Sequence, residues 1–266
     1  MRILHIITGL DDGGAEAVLY RICKLDKEYH HIVISLQGKQ KYVSLLQKCN
    51  ISVHTLNFTK KRINIFGLFK LLKLIRQLKP DVVQTWMPHA DLIGGVMARI
   101  VGVKNIFWGI HHTNLIKGKI NRIVLIIVKL NSILSSFVPT KIIYCAEKSR
   151  EVQESIGFKK NKGVVVHNGY DTNSFFQDSS VENDIRNELG ISHETFVIGH
   201  VGSYNPLKDQ ETLIKSLRYL DQKGINFNAI FVGKKLDSSN DNLIRLIEEN
   251  GLTERIHLLG IRNDIS

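Results

Sequence analysis

The sequence predicts an α/β protein built from two Rossmann-like lobes of parallel sheet. Three observations predict it. Short apolar, β-rich runs alternate with helical patterns along the whole chain, as parallel strands joined by crossover helices require. Met1 opens a strand that runs into a Gly-rich turn and a helix start. A second such unit begins at Phe196–Leu213, FVIGHVGSYNPLKDQETL. A helix N-terminus offers free N–H groups and a positive dipole end, so strand–turn–helix units of this kind bind phosphate. Two of them imply two halves with a cleft between. Residues 1–168 are expected to form the N-terminal lobe, and residues 169–266 a hinge and a second, partial lobe.

The elements follow in order. Expected strands are Arg2–Ile7, His31–Leu36, Ser52–Leu56, Val82–Trp86, Asn105–Ile110, Lys141–Tyr144 and Gly163–His167. Expected helices between them are Gly14–Leu25, Tyr42–Lys48, Ile65–Leu78, Ala90–Val101, Ile120–Phe137 and Lys148–Ser155. Asn168–Thr195, rich in Asn, Asp and Ser, reads as a hinge-like stretch. The pattern then restarts with a buried strand Phe196–His200, helix Asp209–Leu220, strand Asn226–Val232, helix Asn240–Asn250 and strand Arg255–Leu259. In Ile63–Leu78, residues Ile65, Phe66, Phe69, Leu72 and Ile75 fall roughly along one face, surrounded by Lys60, Lys61, Arg62, Lys70, Lys73 and Arg76. That helix either packs its stripe on the sheet, the commoner solution, or lies on a membrane interface. Ile120–Val138 is apolar but interrupted by Asn121, Arg122, Lys129 and Asn131. It falls short of a spanning helix of ~20 apolar residues and reads as a core helix.

Composition narrows the setting. The three cysteines, Cys23, Cys49 and Cys145, are isolated, so neither a disulfide framework nor a zinc site is indicated, and a reduced cytoplasmic setting fits. The N-terminus reads as a first strand, not a signal peptide. The charge is uneven. Between Phe58 and Cys145 stand ten Lys and four Arg against Asp81 and Asp91 only, which accounts for the whole +11 of the chain. This field is either a solvated basic face or an attraction for an anionic membrane surface. Nucleic acid is not expected, because no reading motif accompanies the charge.

Candidate chemistry sits at strand ends. Gly13 and Gly14 follow the first strand, with Glu16 in the first helical turn. They let backbone approach a ligand or form a plain tight turn, and they do not make the dinucleotide fingerprint. His89 and His111 follow the fourth and fifth strands, where ligands sit in open α/β sheets. Each could bond sugar hydroxyls or titrate, or simply cap a strand end. His112 would point differently from His111. Asn168 and Gly169 suit a hinge. Gly199 and Gly202 flank the later turn, and Lys208 opens the helix beyond it, as a compact cation for a diphosphate or as a surface lysine. No His/Asp/Glu cluster has metal-site spacing, and no nucleophile elbow appears.

The set Gly13-Gly14-Ala15-Glu16, His111 after an apolar strand, Asn168-Gly169-Tyr170-Asp171 with Phe175, and Gly199-His200-Val201-Gly202 followed by Pro206-Leu207-Lys208-Asp209 resembles the family-four retaining glycosyltransferases of GT-B fold. Gln84–Asp91 and Ile256–Asp264 are similar to members that build bacterial surface polysaccharides. The resemblance implies a nucleotide-sugar donor bound mainly by the C-terminal half and a glycan acceptor, lipid-linked or not, bound by the N-terminal half, with no cofactor or metal. It implies that His111 contacts the donor sugar. It places Gly14, Gly202, Ser203 and Lys208 at the donor phosphates and Gly13, Glu16 and His89 on the acceptor side.

Two departures stand out. The family usually carries an Arg where this chain has Ser203. Its paired glutamates, separated by seven residues, fall beyond Ser266, so the sequence reads as truncated in the second lobe. The expectation is therefore a cytoplasmic glycosyltransferase, docked or not on the inner membrane face, with an inactive fragment or accessory binding subunit as the alternative. A sugar-nucleotide epimerase and an oxidoreductase are weaker matches.

Overall fold

A computed structural model describes residues 1–38, 40–58, 65–111, 121–172, 176–262 and 264. Lys60, Lys61, Arg62, His112, Phe175 and Ile265 lie outside them. The chain divides into two compact units, Met1–Gly169 and Tyr170–Ser266.

The first unit carries a seven-stranded sheet in the order β3-β2-β1-β4-β5-β6-β7. The strands are β1 (Arg2–Ile7), β2 (His30–Ser35), β3 (Ser52–Thr55), β4 (Val82–Trp86), β5 (Asn105–Ile110), β6 (Lys141–Tyr144) and β7 (Gly163–Val165), and every pairing is parallel. The β-branched, apolar runs that marked these strands are buried because helices cover both faces. On one face, Ile7 of β1 and Val33 of β2 meet Val18, Leu19 and Cys23 of α1 (Gly14–Leu25) and Val43 and Leu46 of α2 (Lys41–Lys48). On the other, Leu4, Ile6, Ile32 and Ile34 meet Leu71 and Ile75 of α3 (Ile65–Leu78), Ala98 of α5 (Val96–Val101) and Val128 of α6 (Arg122–Leu134). Each such side chain contributes roughly 1.5–3 kcal/mol on burial. Strand order reverses between β1 and β4, the switch point where a ligand crevice opens at the strands' carboxyl ends.

The outer helices correct two expectations. In α3 the inward stripe is Gly67, Leu71 and Ile75, while Ile65, Phe66 and Phe69 face outward. A Cβ at Gly67 would collide with the Phe58 ring, so the glycine sets how closely this helix approaches. The other is α6, which was expected in the core. Asn121 caps it, its Oδ1 accepting from the Ile123 N–H at 2.9 Å, and it buries Ile127 and Val128 with the polar Asn131 and Ser132. Ile123, Ile126, Leu130 and Ile133 are exposed. The helix covers the sheet with one side, and among the described residues nothing covers the other.

Past β4 the chain turns through Met87, at φ 74°, into α4 (Pro88–Ala90), a π-helical turn Asp91–Gly95 and then α5. The helical path thus begins two residues before the expected Ala90. Asp91 is buried and accepts from the Thr85 hydroxyl at 2.6 Å. Burial raises its pKa well above the usual carboxylate range, against the lowering effect of that bond. Helix α7 (Glu147–Ser155) joins β6 to β7.

In the second unit, α8 (Ser179–Leu189) stands where a hinge-like stretch was expected. Asp178 caps it by accepting from Ser180 and Val181 N–H groups, and Gly190 ends it at φ 66°. The helix buries none of its residues, so it left no apolar stripe to read. A parallel sheet β10-β9-β8 follows, with β8 (Phe196–Val201), β9 (Phe227–Val232) and β10 (Ile256–Gly260). Helices α9 (Gln210–Gln222) and α10 (Asp241–Glu249) pack Ile214, Leu217, Leu243 and Ile247 onto Phe227, Ala229 and Phe231. Strand β8 was expected to be buried. Among the described residues it is an outer strand instead, with Phe196 65% and Val201 62% exposed.

Candidate functional site

Within the first unit, the expected residues lie after the carboxyl ends of three neighbouring strands, β1, β4 and β5. Gly13 precedes α1 with extended backbone, which any residue adopts, and a Cβ on Gly14 would meet no atom within 4 Å. A Cβ on Gly13 would run into the Glu16 carboxylate, so the bare Gly13 makes room for that side chain, while Gly14 leaves open space. Glu16 sits in the first turn of α1, where a carboxylate favours the dipole. Burial raises its pKa, with Asp11 and Asp12 adding to the rise against a bond from its own N–H. His89 rides on α4, and burial lowers its pKa. The Pro88 carbonyl beside it accepts from Asn131 Nδ2 at 2.9 Å, tying this turn to α6.

His111 follows β5 and lies flat on the Trp86 indole, with ring centroids 4.9 Å apart and planes 15° from parallel. Trp86 is 1% exposed, and its Nε1–H donates to His5 Nδ1 at 3.2 Å. His5 Nε2 meets His31 Nδ1 at 2.9 Å. His31 Nε2 faces Asp26 Oδ2 at 3.1 Å. Both imidazoles are buried. Burial, reinforced by His31 and opposed by Asp26, lowers the His5 pKa to about 3. For Asp26, burial acts upward, but bonds from Glu28 and Tyr29 N–H groups and from His31 hold the net value below the usual carboxylate range. A line of polar side chains thus crosses β2, β1 and β4 beneath α1 and ends at His111.

The fold also gathers ligand-type atoms that are far apart in sequence. His5, Cys23 and His31 have donor atoms within 4.8 Å of one another, all buried. Their chemistry does not fit a cation, because His5 Nε2 and His31 Nδ1 already share one hydrogen bond. Burial also raises the Cys23 thiol to about 12.

In the second unit, Gly202, Ser203 and Lys208 share the loop between β8 and α9. Gln210, buried at the start of α9, donates its amide to the Ser203 carbonyl at 3.0 Å and lies 3.1 Å from His200 Nε2. Asn205 Nδ2 reaches Ser203 Oγ at 2.8 Å, and Asn205 Oδ1 accepts from Leu207 N–H at 2.9 Å. Asp209, at φ 50°, is the N-cap residue of α9. These bonds hold the loop in place, with the Lys208 stem 3.7 Å from where a Gly202 Cβ would stand. The His200 pKa is lowered by burial and then by Lys208. Gly233, at φ 143°, packs so closely that its Cβ would strike the Gly202 carbonyl. The adjacent Lys234 carbonyl accepts from the Tyr204 N–H at 2.9 Å, which ties the backbone of a second lysine to the loop.

Asn168 and Gly169 are the last residues of the first unit. Sequence reasoning missed the Asp26–His31–His5–Trp86 line and Lys234. The available signal was His5 within an apolar strand, since a buried polar group needs partners.

Comparisons with known proteins bear on this arrangement. Residues 12–174 match the model described as Glycosyltransferase Family 4, and residues 181–266 match Glycosyl transferases group 1. EpsF of Bacillus subtilis is 23% identical over 97% of this chain and 70% of its own length. The UDP-Gal:alpha-D-GlcNAc-diphosphoundecaprenol alpha-1,3-galactosyltransferase of Escherichia coli is 25% identical over 75% of this chain, which spans 52% of that relative. The capsular polysaccharide biosynthesis glycosyltransferase CapM of Staphylococcus aureus is 26% identical over 78% of this chain and 54% of its own length. Among solved structures, Anabaena HepE in complex with UDP-glucose superposes with a TM-score of 0.82 at 23% identity, covering 100% of this chain and 70% of that one. That likeness gives the fold, GT-B. Two family models that between them cover most of the sequence carry the rest: the chain belongs to the family-four, group 1 glycosyltransferases.

Proposed function

We propose that this protein transfers a hexose from a nucleoside-diphosphate sugar to a glycan acceptor, with retention at the anomeric carbon, in the synthesis of a surface polysaccharide. One observation supports it most. The loop Gly202–Lys208 leads into the N-terminus of α9, a 13-residue helix, and offers the backbone and lysine chemistry that suits a diphosphate. Lys208 is read as neutralising the diphosphate as it departs, with Lys234 supplying the second charge that Ser203 does not. Fixed charge at a developing anion is commonly worth about 10²–10³ in rate. His111 is read as a polar contact to the donor sugar, and Gly13, Glu16 and His89 as the acceptor side. Uridine is the favoured base, since HepE was solved with UDP-glucose and the Escherichia coli relative is named for UDP-Gal.

That relative's name also carries a diphosphoundecaprenol acceptor, which supports a lipid-linked acceptor reached at an anionic membrane surface. Exposed Phe69, Ile126 and Ile133, set among Lys70, Lys73, Arg122 and Lys129, suit such docking. No described helix is long and apolar enough to cross a membrane.

The test is release of UDP from a panel of UDP-hexoses, with undecaprenyl-diphosphate sugars as acceptors. Acceptor-dependent release supports the reading, and its absence across the panel sinks it. Ser203, whose hydroxyl is engaged by Asn205, favours a second reading, an accessory subunit that binds without turnover. Saturable UDP binding without release would select it.

A further inference from the structure

The hydrogen bonds beneath α1 have a fixed direction. An indole nitrogen can only donate, so Trp86 Nε1–H requires a lone pair on His5 Nδ1. A neutral His5 then carries its proton on Nε2 and donates to His31 Nδ1. His31 must therefore keep its own proton on Nε2, facing Asp26 Oδ2. The two ring-to-ring bonds run toward the carboxylate, Asp26 Oδ2 stands at ion-pair distance from His31 Nε2 without a well-aligned hydrogen bond, and each ring has one tautomer. A cation between His5, Cys23 and His31 would have to expel the His5 Nε2 proton. Moving that proton to Nδ1 would set two N–H groups face to face at Trp86.

We propose that Asp26, His31, His5 and Trp86 are positioning residues, which together set the plane of the His111 ring. His111 touches this line through Trp86, whose indole is held edge-on by His5 and offers its face to the imidazole. Asp26 lies at the far end, with a side chain 28% exposed. A buried chain of bonds with one permitted direction holds its members more stiffly than apolar packing does. That His111 touches substrate is the reading given above. Its orientation by this line is the inference made here.

Asp26→Asn is the decisive variant. Asp26 Oδ1 already accepts from Glu28 and Tyr29 N–H groups. With the single amide oxygen kept there, the NH₂ group turns to His31 Nε2. His31 must then donate from Nδ1, and His5 must accept at Nε2 and carry its proton on Nδ1, against Trp86 Nε1–H. The test uses the full chain labelled with ¹⁵N and ¹³C on histidine and tryptophan. In the native chain, His5 and His31 should both show the Nε2–H tautomer. In D26N, His31 should switch to Nδ1–H, and the Trp86 Nε1–H and His111 ring signals should move together. His5→Asn keeps an oxygen for Trp86 and cuts the link to His31. In that background, D26N should leave the His111 signals in place.

An Nδ1–H tautomer at His5 or His31 in the native chain overturns the proposal. So do His111 signals unmoved by D26N alone, or moved equally with His5→Asn present. Transfer assays on the same proteins separate this from the functional reading. D26N should lower kcat about tenfold, with the donor KM within about twofold. A drop in thermal stability alone, with kcat unchanged, would mark the line as merely structural and overturn its positioning role. If His111→Ala transfers at the native rate while D26N still moves the His111 signals, the substrate contact fails and the orientation stands.

Discussion

Acidification should destabilise the first unit through His5, and the size of the effect follows from its burial. The folded pKa lies near 3 against an ordinary value of 6.5. Above pH 6.5 both folded and unfolded chains hold the imidazole neutral, and the stabilising contribution is fully present. Below pH 6.5 the unfolded chain takes up a proton that the folded chain refuses, so stability falls until the pH reaches the folded value. The linkage relation gives a loss of about 2 kcal/mol between pH 7 and pH 5 from this residue alone. The assay is urea unfolding followed by tryptophan fluorescence. Both tryptophans, Trp86 and Trp108, are buried in the first unit, so the signal reports that unit. His89 is also lowered by burial and adds in the same direction, which makes His5→Asn the necessary comparator. The native chain should lose about 2 kcal/mol more than H5N over the same interval. Equal pH slopes for the two proteins would refute the claim that a neutral, proton-refusing His5 sits in this core.

Other outcomes follow from single features. Lys208→Ala should lower transfer kcat by about 10²-fold, with thermal unfolding unchanged because Lys208 is exposed; steady-state UDP release measures the first and a thermal melt the second. Gly233→Ala forces a Cβ into the Gly202 carbonyl at a positive φ, and should cost about 3 kcal/mol or more. Hydrogen exchange should show β8 and β9 losing protection while Trp86 fluorescence holds. Asp178→Ala removes the cap of α8 and should cost about 1 kcal/mol, read as earlier loss of amide protection over Ser179–Leu189. Replacing Phe69, Ile126 and Ile133 by Ser should weaken sedimentation with anionic vesicles and leave the fold intact, because all three are exposed. Unchanged sedimentation would remove the docking face from the reading.

What could be read from the chain depended on how each element meets its neighbours. Strands β1, β4, β5 and β6 and helices α1 and α3 have the boundaries expected of them, because apolar runs bounded by Gly, Pro and Asp give strong local signals. Helix α8 escaped because it packs no residue inward, although Asp178 and Gly190 marked its two ends. The outward stripe of α6 escaped for the opposite reason: apolar content signals burial only when something lies on top. At the candidate site, the loop residues were legible because Gly, His and Lys after strands are local features. The line from Asp26 to Trp86 was not, because its members come from the C-cap of α1 and from β2, β1 and β4. Only the register, with His5 opposite Val33 and Ile7 opposite Trp86, brings them onto one face.

Among the described residues β8 pairs on one side only, with β9, and its other edge is where a further strand can add to this sheet. An outer strand offers a row of main-chain donors and acceptors to any chain that approaches it, and here Phe196 and Val201 add apolar contact. Opposing this is a net charge of +11, whose repulsion keeps molecules apart in dilute salt. Raising the ionic strength shortens the reach of that repulsion to about 3 Å at 1 M and leaves the strand edge unchanged. For the 266-residue chain, added salt should therefore favour strand addition at the β8 edge, visible as a rise in light scattering with added sodium chloride.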